Sequence, residues 1–348
     1  MINIGGRAVG RDAAPFFIAE MSGNHNASLD RALAIVDAIA DTGAHALKLQ
    51  TYTADTMTLD IREGDFLIDD PKSLWNGRTL YDLYEEAHTP WAWHAPIFER
   101  AKKRGMLAFS TPFDATAVDF LAELDVPCYK IASFENADHA LIRKAASKGK
   151  PLIISTGMAS LSEIGETVAA AREGGCKEII LLKCTSAYPA LPADINLTSI
   201  PHLRDAFGVE VGLSDHTLGI GVAVAAVALG ATVIEKHVTL RRADGGVDSA
   251  FSLEPDEVRM LIEETEKARQ AIGGVSYGKG LGEEGSVRFR RSLYVVKDVA
   301  AGEVFNAENV RAIRPGFGLP PKHLEHIAGR RASRAIARGT PMSWDLLG

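Results

Sequence analysis

The run Val209-Glu-Val-Gly-Leu-Ser-Asp-His-Thr217, then an apolar Ala/Val/Gly-rich segment, then Thr232-Val-Ile-Glu-Lys-His-Val-Thr-Leu240, reads as strand, helix, strand. In a parallel α/β unit the C-terminal ends of successive strands lie on one side of the sheet. His216 and His237, a helix apart in sequence, therefore point toward one pocket. Two imidazoles so placed are candidate metal ligands. Two alone are a weak set, and a chain with ten histidines puts some at strand ends by chance.

Outward from this unit the same pattern repeats. Apolar runs Phe16–Ser22, Ala44–Tyr52, Met106–Pro112, Pro127–Phe134, Pro151–Gly157 and Glu178–Ser186 supply six further strands, most of them separated by helical patterns. Leu29, Ala32, Leu33, Val36, Ile39 and Ala40 mark one helix, with Ser28 as its N-cap and Gly43 as its stop. Ser160-Leu-Ser-Glu163 is a capping box, and Glu254 to Ile272 carries Val258, Leu261, Ile262, Thr265, Ala268 and Ile272 on one face. Eight such repeats predict an α/β fold of the (β/α)8 TIM barrel type rather than an open sheet. No G-x-G-x-x-G follows the first strand, which counts against a dinucleotide fold.

The length of 348 residues suits a barrel plus a small domain. Two stretches depart from a minimal barrel. Thr53 to Thr89 is long enough to be a functional loop over the barrel mouth. Gly273-Gly-Val-Ser-Tyr-Gly-Lys-Gly-Leu-Gly282 reads as a linker, so the expected division is a barrel at 1–273, a linker at 274–288 and a small β-rich domain at 289–348. No apolar run reaches membrane-spanning length, and the start lacks the features of an export signal, so a cytoplasmic protein with no membrane partner is expected. The three cysteines show no C-x-x-C spacing, and Cys128 and Cys184 read as small core residues. The net charge of −7 conceals a basic tail, with 11 Lys and Arg against 5 Asp and Glu from Ser286 onward. The tail lacks the interleaved aromatics of a nucleic-acid platform, so an anionic small molecule is the expected partner.

Side-chain parity brings polar residues to the mouth: Glu20 with Ser22, Lys48 with Gln50, Ser214 with His216, Glu235 with His237. Lys48, Lys130, Thr111, Ser133 and Ser155 join them from other strands. Two buried lysines imply either an anion between them or structural pairing with Glu20 or Glu135, and neither lysine alone decides.

The runs Ile18-Ala-Glu-Met-Ser-Gly-Asn-His-Asn26, Lys48-Leu-Gln50, Phe109-Ser-Thr-Pro-Phe-Asp114, Tyr129-Lys-Ile-Ala-Ser133, Ser155-Thr-Gly-Met158, Gly212-Leu-Ser-Asp-His-Thr217 and Glu235-Lys-His-Val-Thr239 resemble the sialic acid synthase family. The tail resembles that family's antifreeze-like (SAF) domain. Lys48-Leu-Gln-Thr-Tyr-Thr53 and Tyr81-Asp-Leu-Tyr-Glu-Glu-Ala-His-Thr-Pro-Trp91 look most like its pseudaminic acid branch. The resemblance implies condensation of phosphoenolpyruvate with an N-acetylated amino sugar, 2,4-diacetamido-2,4,6-trideoxy-altrose in that branch. It assigns Lys48, Thr111, Lys130, Ser133, Ser155, Ser186 and Ser214 to phosphoenolpyruvate, Ser186 standing where the family commonly has asparagine. It gives His216 and His237 to a divalent metal, Mn²⁺ or Mg²⁺. Glu20, Glu135 and Asp248 would be the catalytic carboxylates, and Gln50 and Tyr188 would face the sugar. A domain-swapped homodimer is implied, with Arg314 over the neighbour's sugar site. Legionaminic or N-acetylneuraminic acid synthesis is the alternative within the family. A metal-dependent barrel aldolase or isomerase, or a carbohydrate-binding protein acting through the tail, are the alternatives outside it.

Overall fold

Runs of Val, Ile, Leu and Phe with no exposed residue form strands buried on both faces, the signature of a parallel sheet wrapped by helices. In the computed structural model, which describes residues 1–71 and 73–348, these are β1 (Phe16–Glu20), β2 (Ala46–Thr51), β3 (Leu107–Pro112), β4 (Tyr129–Ile131), β5 (Leu152–Ser155), β6 (Ile179–Cys184), β7 (Glu210–Ser214) and β8 (Val233–His237). They pair in parallel in the spatial order β3-β2-β1-β8-β7-β6-β5-β4. β3 and β4 adjoin at the seam without a ladder among the described residues, so the ring is a nearly closed TIM-type barrel. A helix follows each strand, from Leu29–Ala40 after β1 to Pro255–Ile272 after β8.

The local signals act as read. The Ser28 side chain accepts from the Arg31 N–H, and Ser160 and Glu163 cap each other's backbone. The last helix starts one residue late because Glu254 is its N-cap, closing a box with Glu257. Three details differ. β1 stops at Glu20, because Ser22 adopts φ 47° and opens a 3₁₀ turn, Ser22–His25. β4 is only three residues, because the chain turns at once into the 3₁₀ segment Ser133–Glu135. A hairpin of Ile2–Ile4 and Arg7–Val9 precedes the barrel, and its strands are too short for periodicity to reveal.

These elements belong to one compact unit, Met1–Gly273, and Gly274–Gly348 form another. In the second, β9 (Ser292–Val295) and β10 (Val310–Ile313) pair antiparallel over a core that includes Leu293, Val295, Val299, Phe305 and Ile336. Among the described residues no helix is long and apolar enough to cross a membrane.

Gly212 shows how tightly β7 meets β8. A Cβ there would lie 2.3 Å from the Val233 carbonyl oxygen and 2.7 Å from Val233 Cβ, so only glycine lets the strands approach. Gly212→Ala is expected to lower stability by about 1–3 kcal/mol through overpacking, read as a reduced urea midpoint at unchanged m-value.

Candidate active site

Register sets the mouth. Glu20 pairs with Lys48 on one side and with His237 on the other, and Glu235 pairs with Ser214. Glu20, Lys48, Ser214 and Glu235 are buried and His237 half-buried at the C-terminal end of the barrel, where polar side chains must satisfy one another. Lys48 Nζ contacts Glu20 Oε2, lies 3.9 Å from Glu235 Oε1 and donates to Thr111 Oγ1 at 3.1 Å. Lys130 Nζ lies 3.3 Å from Glu235 Oε1 and donates to Ser155 Oγ at 2.8 Å. Ser214 Oγ donates to the same Glu235 oxygen at 3.2 Å. Two ammoniums thus face two carboxylates in one network. The partner of Lys130 is Glu235, not the Glu135 considered from sequence. Burial pushes Glu20 up from the ordinary carboxyl range, against the pull of Lys48. Burial also opposes ionisation of Glu235, but Lys130 and Lys48 outweigh it and hold that carboxyl low.

Above this network is a cavity of about 270 Å³, whose walls include Gln50, Glu135, Tyr188, His237 and Asp248 together with Trp75, Tyr84 and Phe113. Gln50 Nε2 donates to Glu20 Oε1 and Ser22 Oγ, both at 3.1 Å, joining cavity and network. Glu135 Oε2 is buried with no hydrogen-bond partner among the described residues, and burial raises its carboxyl to about 7. The Tyr188 ring packs 4.4 Å from that of His216. Trp75, from the long segment after β2, donates its indole N–H to the Val247 carbonyl at 3.0 Å and ties that segment to the loop bearing Asp248. Ser133 and Ser186 converge on Gly157, where a Cβ would lie 2.7 Å and 2.3 Å from their hydroxyl oxygens, so glycine keeps this corner open.

Of the residues singled out from sequence, those on the barrel converge on this mouth. Arg314 lies exposed in the C-terminal unit, directly after β10. Glu235 escaped selection as a site residue, although its parity with His237 was the available signal. Asn24 and Asn26 were quoted but given no role. Asn24 Nδ2 donates to the Val238 carbonyl at 2.9 Å and to Ser252 Oγ at 2.8 Å, and Asn26 Nδ2 to the Gly245 carbonyl at 3.1 Å, so both pin the Asp248 loop. Cys184 stands apart from the apolar core, with Sγ 4.0 Å from His216 Nδ1. Burial raises its thiol, but His216, Ser133 and Lys130 outweigh that and bring it to about 7.

The two histidines lie side by side. Their ring centroids are 5.3 Å apart. His216 Nδ1 lies 3.0 Å from the Thr185 carbonyl, so whenever the ring is neutral Nδ1 carries the proton and Nε2 the lone pair; burial favours that neutral form, but Cys184 and the Thr185 carbonyl outweigh it and raise the ring's pKa. His237 Nδ1 has no hydrogen-bond partner among the described residues and lies 3.8 Å from Asp248 Oδ2, and burial followed by the charge of His216 keeps the ring neutral. Among the described residues no group of three or more His, Cys, Asp or Glu is placed to hold a metal ion, so the chain offers these two imidazoles as its candidate ligands.

The chain matches the NeuB family over residues 35–277 and the SAF domain over residues 290–348. It is 44% identical to a pseudaminic acid synthase of Campylobacter jejuni over 94% of this chain and 95% of that protein. It is 35% identical to an N,N'-diacetyllegionaminic acid synthase of C. jejuni over 91% of this chain and 95% of that one. A solved structure of an N-acetylneuraminic acid synthetase from Leptospira borgpetersenii, in complex with citrate, superposes with a TM-score of 0.73 at 33% identity, covering 83% of this chain and 95% of that one.

The Glu135 carboxyl has a measurable signature. Between its ordinary value near 4.5 and about 7 the folded state holds more protons than the unfolded, so this group costs stability as pH rises through that window. Glu135→Gln should match the wild type near pH 4.5 and exceed it above pH 7 by about 2 kcal/mol, allowing for partial screening. Urea midpoints at both pH values check this, and a difference independent of pH would contradict it.

Proposed function

The chain belongs to the NeuB family of phosphoenolpyruvate-dependent, carbon–carbon bond-forming transferases, and from that premise we propose that it is a pseudaminic acid synthase. It joins phosphoenolpyruvate to open-chain 2,4-diacetamido-2,4,6-trideoxy-altrose, giving pseudaminic acid and phosphate. The observation that carries this reading is that Lys48 and Lys130 share one charged network, joined through Glu20 and Gln50 to a cavity lined by His237, whose ring adjoins that of His216. The acceptor assignment is supported by the higher identity to pseudaminic than to legionaminic synthases and by aromatic walls suited to a deoxy, doubly acetylated sugar.

Lys48 and Lys130, with Thr111, Ser133, Ser155, Ser186 and Ser214, bind the phosphate and carboxylate of the donor. Because both ammoniums are already paired with carboxylates, entry of a polyanion requires charge to be relieved, and Glu20, the carboxyl pushed up by burial, takes up a proton. Carbon 3 of the donor then attacks the aldehyde carbon; negative charge grows on the aldehyde oxygen and positive charge at carbon 2. His216 and His237 would hold Mn²⁺ or Mg²⁺, which would supply Lewis-acid stabilisation of that charge. Glu135, poised near neutrality, lies where a carboxylate stabilises the positive charge and can accept the proton of the water that adds to carbon 2, before phosphate departs. Gln50, Tyr188 and Asp248 orient the sugar between them, and holding both substrates face to face supplies up to about 7–11 kcal/mol of the barrier. The active form is a swapped homodimer, in which Arg314 of each chain covers the other's sugar.

Incubation with phosphoenolpyruvate and each acceptor in turn, followed by phosphate release and product mass, tests the assignment. Turnover is expected with the altrose derivative, and turnover confined to the legionaminic or sialic precursor would reassign the branch. In the same assay Arg314→Ala should raise the KM for the sugar; an active monomer with unaltered KM would remove the swapped arrangement. His237→Ala is expected to weaken Mn²⁺ binding and abolish most activity together, whereas indifference to this change and to chelator would refute the metal assignment.

A further inference from the structure

Behind the two histidines, on the side of β7 and β8 turned from the cavity, lies a second charged pair. Asp215 falls between Ser214 and His216, and Lys236 between Glu235 and His237, so alternation points both away from the residues that face the barrel interior. Lys236 Nζ donates to Asp215 Oδ2 at 2.8 Å and to the Thr217 carbonyl at 2.7 Å, with both ion-pair side chains fully buried. Asp215 Oδ1 in turn accepts from Thr217 N at 2.9 Å and Thr217 Oγ1 at 2.7 Å. The lysine thus reaches the segment just past β7 at two points, on either side of His216.

The β7–β8 ladder pairs Leu213 with Ile234 and Ser214 with Glu235, and one more backbone bond follows, from Asp215 N to the Glu235 carbonyl at 2.9 Å. The ladder therefore ends before the level of the histidines, and the ion pair carries the linkage past it. Stability alone does not account for such a pair, since well-packed apolar residues of similar volume commonly serve as well or better in a buried position. What a charged, directional contact adds is a single geometry.

We infer that the Lys236–Asp215 pair is a positioning device, fixing the ends of β7 and β8 relative to each other so that His216 and His237 address one ion. This rests on the reading of the two imidazoles as metal ligands. Neither residue touches the cavity; they act through their neighbours in the chain.

The test is calorimetric titration of full-length, metal-stripped protein with Mn²⁺, alongside unfolding midpoints measured in chelator. Lys236→Met combined with Asp215→Leu replaces the ion pair by apolar contact. Its midpoint is expected to stay at or above that of the wild type while the Mn²⁺ Kd rises roughly tenfold to a hundredfold, the range for outer partners of ligating histidines. Asp215→Asn, nearly identical in size, provides a second measurement should the double variant not fold, and it too should bind Mn²⁺ several-fold more weakly. Wild-type affinity in either folded variant overturns the inference and leaves the ligand pair standing. An affinity that falls only in step with the unfolding midpoint also overturns it, by returning the pair to a purely structural role. Failure of the wild-type protein itself to bind Mn²⁺ removes both readings.

Discussion

The mouth of this barrel depends on a balance of charge. Two ammonium and two carboxylate groups, from Lys48, Lys130, Glu20 and Glu235, occupy one nearly waterless layer. Removing one member would leave a buried charge without compensation, so the four hold one another in place. The hydroxyls of Thr111, Ser155 and Ser214 satisfy further positions on the same groups. A layer that is complete in itself can receive a highly charged substrate only by exchanging internal pairs for external ones. The site is thus preorganised and neutral, and substrate binding becomes an electrostatic substitution rather than the filling of a bare positive hole.

The chemistry is layered by depth. Charged and hydroxyl groups form the floor, the imidazoles and Asp248 stand beside them, and aromatic rings from Trp75, Tyr84, Phe113 and Tyr188 form the upper wall. This order follows from the chain: strands deliver the floor with the fixed spacing of a ladder, whereas the segments between strands, including the helix Leu80–Ala87 that carries Tyr84, deliver the wall. Groups that need sub-ångström placement lie on the rigid part, and those that adapt to a sugar's shape lie on the variable part.

Much of this was legible before any coordinates. Strand runs such as Ala46–Thr51 and Ile179–Cys184 are buried on both faces and read as strands by composition alone. The caps at Ser28 and Ser160 are local hydrogen bonds and so are written locally. What escaped depends on distance in sequence or on backbone detail. Lys130 could be seen to need a carboxylate, but the choice of Glu235 over Glu135 depends on which one the barrel brings across its interior. Cys184 is buried, as its place in a largely apolar β6 suggests, but its contact with His216 is made between strands and is not written in the local sequence. The early end of β1 depends on a left-handed Ser22, which no side-chain pattern announces.

The seam between β3 and β4 has one more consequence. Thr111 stands on one side of it and Lys130 on the other, both bonded into the buried charge network. With no ladder across this joint among the described residues, the circumference of the ring can widen or narrow there without breaking backbone hydrogen bonds. The barrel thus resembles a split collar, hydrogen-bonded through the arc where β8 and β1 carry the imidazole and carboxylate side chains and joined at the seam by side-chain packing instead.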